Sequence, residues 1–167
     1  MPSLNETINS FSNTEYTNWN DASYQASKEI FVLSEQITSS INDIRDWFED
    51  MSTNFFNKPG SSAAEDWLVL GAKALTWGLS AGHSVSHEEL SSTLVKKQRD
   101  YGHHNIAKFG RDGLLIRVHD KIARLENLAA SSLAASNEPI KDTVLDIAGY
   151  SAIGIMWDKE QFLLDLI

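Results

Sequence analysis

The sequence predicts an all-α fold, a bundle of four to five principal helices, on three observations. Apolar residues recur at intervals of three and four over long stretches. No stretch of useful length alternates apolar and polar residues as a half-buried strand does. Helix-start signals stand where the periodic segments begin: Ser86 before Glu88 and Glu89, and Asn137 before Glu138 and Pro139.

Residues 1 to about 22 are rich in Asn, Ser and Thr without a clean period and read as a flexible or loosely packed arm, leaving 23–167 as a single all-α domain. From about Ala22 to Met51, Ile30, Leu33, Ile37, Ile41, Ile44 and Phe48 trace one face of an amphipathic helix, with Glu35, Asp43, Asp46 and Glu49 on the other. Asn54 to Ser62, with its Pro59-Gly60 pair, reads as a connector. A second helix is expected from Ala63 to Ser80, where Trp67, Leu68, Leu70, Gly71, Ala74, Leu75 and Leu79 give a broad apolar surface suited to the interior. A third starts after Ser86 and runs toward Gln98. Gly102, Gly110 and Gly113 predict a loop or short turns over 102–113. A fourth helix covers Leu114 to about Leu133, and a fifth runs from Asn137 to Trp157, before a short helical or irregular tail.

Composition narrows the function. The chain has 167 residues, enough for one domain with its own core, and no cysteine, which excludes disulfides and thiolate metal sites. The start of the sequence lacks the basic and apolar segments of a secretory signal, and no apolar run approaches the roughly 18 residues of a membrane span, so no membrane association is expected. The net charge of −9 is uneven: residues 1–95 hold 4 basic and 13 acidic side chains, whereas 96–125 hold eight basic and three acidic ones. One basic patch on an acidic chain suits a small anion such as a nucleotide, and extended nucleic acid binding is not expected.

Two helix faces carry candidate chemistry. On the fourth helix Leu115, Val118, Ile122, Leu125 and Ala129 form a buried stripe, and Arg117, Asp120, Lys121, Arg124 and Asn127 share the opposite side. Those cations are either a solvated face stitched by Asp120 and Arg124 or a surface for phosphate oxygens. On the fifth helix Asp142 and Asp146 lie about 40° apart in projection on a segment otherwise apolar nearly all round, so that helix should be central. Two carboxylates there require partners. Arg117, Lys121 and Arg124 would make a structural ion network. Alternatively Asp142 and Asp146, with Asp120 or Glu138, would hold magnesium, which prefers oxygen ligands and is shared with substrate phosphates.

All five histidines, at 83, 87, 103, 104 and 119, fall within 37 residues. His119-Asp120 with the later Asp142, and His83 or His103 as a further ligand, would make a metal-dependent phosphohydrolase pattern. His103 and His104, in the basic loop, read as ligand contacts.

The segments Asp100-Tyr-Gly-His-His-Asn-Ile106, Phe109-Gly110, Gly113 through Lys121, Arg124 through Leu128 and Asp142 through Tyr150 resemble the nucleotide modification associated domain 1 family of phage and bacterial genomes. The resemblance covers about residues 90–155 and does not extend over 1–80. It implies a role in nucleotide metabolism or DNA modification, in the cytoplasm of a bacterial or phage-infected cell. The positions that correspond are Asp100, Tyr101, Gly102, Asn105, Asp120, Lys121, Arg124, Asn127, Asp142, Asp146 and Tyr150.

The arrangement is also similar to the all-α nucleotide pyrophosphatases of the MazG and dimeric dUTPase type, which bind magnesium through acidic residues of neighbouring helices. Here the second acidic pair is spaced by four instead of three, and the first motif is represented by Glu88-Glu89 with Thr93 in place of an acid.

The resulting expectation is a magnesium-dependent phosphohydrolase or pyrophosphohydrolase acting on a nucleotide. Asp120, Asp142 and Asp146 would hold the metal, and Lys121 and Arg124 would complete the catalytic set. Arg117, Tyr101, His103, His104, Asn105 and Asn127 would bind the ligand. The alternatives are a non-catalytic nucleotide-binding or adaptor protein and a structural or host-interaction protein. Related all-α enzymes complete their clefts across a dimer, and Trp67, Trp77, Leu75 and Leu79 exceed what one two-faced helix needs, so a homodimer is expected.

Overall fold

The computed structural model describes residues 15–57, 63–131 and 137–167, and among these residues six helices of fifteen residues or more and one single-turn helix are formed. They are α1 (Trp19–Ser34), α2 (Ile41–Asn57), α3 (Ala63–Ser80), α4 (His87–Tyr101), α5 (His104–Ala107), α6 (Gly110–Ala130) and α7 (Asn137–Asp158), with no strand among the described residues. Most of the N-terminal arm, the Pro59-Gly60 connector and the side chains of Asn137 and Glu138 lie outside the described residues.

The long first helix expected from the apolar period is two helices. Asn18 caps α1, accepting the Asp21 N–H at 2.8 Å, and Trp19 behind it is fully buried, inside the segment expected to be a loose arm. The helix ends where the Glu35 and Gln36 N–H groups turn back to the carbonyls of Val32 and Leu33. A new start follows at once. The Ser40 N–H donates to Asp43 Oδ2 at 2.9 Å and the Asp43 N–H donates to Ser40 Oγ at 3.0 Å, a reciprocal cap that opens α2. The apolar period survives the break because Ile37 and Ile41 still pack against the core on either side of it.

The centre is formed by α3 and α7. α7 packs on α1, α3, α4 and α6, and α3 on α1, α2 and α7, so both are covered on most sides. Small residues allow their close approach. A Cβ at Gly154 would stand 2.3 Å from the Trp67 indole, and one at Gly71 would stand 2.9 Å from the Ser151 Cβ, so both positions require the bare backbone. The Ser151 hydroxyl, fully buried at this contact, donates to the Ile147 carbonyl at 2.8 Å. The same packing absorbs most of the surplus apolar surface that suggested a dimer. Trp67 and Leu75 are buried and Trp77 is partly covered by the core, whereas Leu79 remains exposed.

Ion pairs tie outer elements to α7, Lys141 to Glu89 of α4 at 2.7 Å and Asp158 to Arg111 of α6 at 2.8 Å, and a third joins two outer helices, Arg45 of α2 to Glu126 of α6. Glu89 also completes a capping box with Ser86, so its carboxylate serves the start of α4. α6 begins at Gly110, ahead of the expected Leu114, because Gly110 takes a positive φ of 56° with its Cα side against Trp157. The tail after α7 forms turns rather than a helix. Its Phe162 is buried among Trp19, Trp157 and His103, and the Asp165 carbonyl accepts the Trp19 N–H at 2.9 Å. No helix among the described residues is long and apolar enough to cross a membrane.

Candidate functional site

A cleft of about 160 Å³ opens where α4, α5, α6 and α7 meet. Each element contributes through its own periodicity. From α4, Leu90, Leu94, Lys97, Gln98 and Tyr101 project along one stripe, and from α7, Leu145, Asp146, Gly149, Tyr150 and Ile153 do the same. Asn105 and Ile106 of α5 close one end, and Arg117 of α6 stands in the wall.

Asp146 is the electrostatic centre. Its Oδ1 accepts from Lys97 Nζ at 2.9 Å and its Oδ2 is 3.0 Å from Lys121 Nζ, so one carboxylate links α4, α6 and α7. The Asp146 side chain is 17% exposed, against 51% for Lys97 and 30% for Lys121. Burial alone would raise the Asp146 pKa, but the hydrogen bonds and charges of Lys97 and Lys121 outweigh it and hold the carboxyl below its ordinary range. The carboxylate is therefore ionised at neutral pH.

Arg117 lines the same cleft and makes no ion pair among the described residues. Two cations thus hold one anion, and a third cation lines the same cleft, in a chain whose overall charge is −9. Asn105 adds an unanswered polar atom: its Oδ1 is buried without a hydrogen-bond partner among the described residues. Gln98, 7% exposed, joins His103 Nδ1 at 2.7 Å and holds that ring at the cleft's edge.

The structure brings together Asp146, Lys121, Arg117, Tyr101 and Asn105 from the expected set, and leaves the others elsewhere. Asp142 is exposed one turn before Asp146 and makes no ion pair among the described residues. Asp120 is 77% exposed, with His119 Nδ1 at 3.8 Å. Arg124, Asn127 and His104 are exposed, and His103 turns toward Gln98 and the Phe162 ring. The histidines disperse as well. His119 lies against Phe48, whereas His87 packs on Tyr24 and Phe31 with its Nε2 3.0 Å from Ser27 Oγ.

No group of three His, Asp or Glu side chains placed to hold a metal ion occurs among the described residues. Asp146, the carboxylate in the cleft wall, has both oxygens engaged by ammonium groups, which is not the oxygen-rich set that magnesium takes.

Sequence reasoning missed Lys97 and Gln98. A signal for both existed: Gln98 follows Leu90 and Leu94 on the buried stripe of α4, where an amide demands a polar neighbour, and Lys97 flanks it. Comparison with protein-family models, curated proteins and solved structures returns no match for this chain.

Proposed function

We propose that this protein binds a small phosphorylated ligand of the nucleotide class in the cleft between α4, α6 and α7, without hydrolysing it. The observation that carries the reading is Arg117, a guanidinium in the cleft wall with no carboxylate partner among the described residues, beside the Lys97–Asp146–Lys121 cluster. Guanidinium offers a planar fork of donors to phosphate oxygens, and each lysine retains donors beyond the one given to Asp146. The aromatic and aliphatic wall of Tyr101, Tyr150, Leu94 and Ile153 suits the faces of a base or sugar. The motif resemblance over 90–155 points to the same ligand class. The magnesium site expected for hydrolysis has Asp142, with Asp120 or Glu138, joining Asp146, and Asp142 and Asp120 stand on exposed surface.

Calorimetric titration with nucleotides, in magnesium and in chelator, tests the reading. Saturable binding that Arg117→Ala lowers at least about tenfold, without release of phosphate or pyrophosphate, is the expected result. Metal-dependent turnover lost in both Asp142→Asn and Asp146→Asn would replace it with the phosphohydrolase reading. Absence of binding by any phosphorylated compound would overturn both.

A further inference from the structure

We infer that Asp146 sets the charge selectivity of this cleft, so that the ligand is a phosphate monoester, a nucleoside monophosphate, rather than a triphosphate. The inference rests on the phosphate-binding reading above and adds which phosphorylated species is preferred.

Asp146 has two opposing effects on an incoming anion. It draws Lys97 from α4 and Lys121 from α6 onto its two oxygens, at 2.9 and 3.0 Å, and so holds two ammonium groups in fixed places before any ligand arrives. It also cancels one of the three positive charges. Lys97 and Arg117 line the cleft with Asp146, and Lys121 stands on the other Asp146 oxygen outside that lining, so these four groups together carry a net charge of +2. A phosphate monoester near neutral pH carries about −1.5 to −2 and matches that charge. The added phosphates of a triphosphate bring further negative charge toward a fixed carboxylate, with no cation beyond Lys97 and Arg117 in the cleft lining among the described residues.

Asp146 cannot readily turn away to relieve the repulsion. Its side chain is largely covered, and α7 is held on its other sides by α1 and α3. Space argues in the same direction. Leu94, Leu145, Tyr150 and Ile153 wall a cleft of about 160 Å³. A base or sugar covers that apolar wall, which inorganic phosphate alone would leave uncovered.

The experiment titrates the full chain, in chelator, with deoxynucleoside monophosphates, the matching triphosphates, ribose 5-phosphate and inorganic phosphate. In the wild type, at least one monophosphate should bind about tenfold more tightly than its triphosphate and more tightly than inorganic phosphate. Asp146→Asn should raise triphosphate affinity about tenfold and close the gap, and Lys97→Gln should weaken the monophosphate. Ribose 5-phosphate binding as tightly as the best monophosphate would overturn the assignment of a base. Triphosphate binding as tight as or tighter than monophosphate in the wild type would overturn the inference and leave phosphate binding standing, and this comparison does not depend on any variant folding. Loss of both affinities in Asp146→Asn, with an unchanged Tm, would also overturn it. Binding of none of these compounds to the wild type would remove the underlying reading as well.

Discussion

The two sides of α7 are built on opposite terms. Toward α3, Trp67 lies on Gly154 and Ser151 meets Gly71, with the backbones as close as glycine permits. Toward α4 and α6, the same helix presents Asp146, Gly149 and Tyr150 to an open cleft, where a Cβ at Gly149 would meet Leu94 Cδ2 only at 3.8 Å. One face is closely packed, while the other leaves a cleft and, in its lining, a guanidinium that makes no ion pair among the described residues. Packing that closes completely on one side of a helix and stops short on the other marks the second side as the place for a ligand.

The two glycines give the sharpest way to break this comparison. Gly154→Ala drives a methyl group into the buried Trp67 indole and should cost about 3 kcal/mol in urea unfolding. Gly149→Ala, five residues earlier on the same helix, should instead gain up to about 1 kcal/mol from helix propensity, since its Cβ meets only ordinary contact. It should also narrow the cleft and weaken ligand binding. Equal costs at the two sites would show that both faces are equally packed.

Two partly buried aspartates sharpen the contrast through pH. Asp66, near the start of α3, is pushed up to about 6 by burial and by neighbouring Glu65 and Asp158, against the pull of Arg111. Asp146 is held below the ordinary range because its two lysines outweigh its burial. The signs are opposite. A raised carboxyl binds more protons when folded, so the contribution of Asp66 is fully present below the ordinary value of about 4 and is lost as pH rises through about 6. The contribution of Asp146 is present above the ordinary value and is lost as pH falls through its lowered pKa. Asp66→Asn should therefore raise Tm by about 2 °C at pH 7.5, discounted for partial exposure, and by less at pH 4.5. A pH-independent effect would place the Asp66 carboxyl in water rather than against its acidic neighbours.

The smallest effect on stability is expected at the cleft wall. Arg117→Met should change unfolding free energy by under about 0.5 kcal/mol, because the guanidinium makes no ion pair among the described residues, while ligand affinity falls. A large destabilisation would assign Arg117 to the scaffold.

Much of the fold was legible because it depends on neighbours in sequence. The bounds of α3 match its apolar period, the Ser86 capping box starts α4, and the nearly all-apolar α7 is central. The division of α1 from α2 was hidden, since Ile37 and Ile41 keep the spacing of a continuous helix while the Ser40–Asp43 cap redirects the chain between them.

The site was legible by residue type and only partly by membership. Periodicity placed Asp142 and Asp146 near one side of a helix, and Arg117 and Lys121 on another. It could not show that a turn of α7 separates an exposed Asp142 from a half-buried Asp146, nor that Lys97 arrives from α4 to take the second oxygen.

The sequence by itself determined the all-α class, the positions of most helices and a local excess of basic charge, because hydrophobic period, caps and charge are properties of adjacent residues. The tertiary structure decided which carboxylate meets which cation and where packing leaves a cleft. Those contacts join residues as far apart in the chain as Lys97 and Asp146, and their encounter depends on helix crossings to which no local pattern is sensitive.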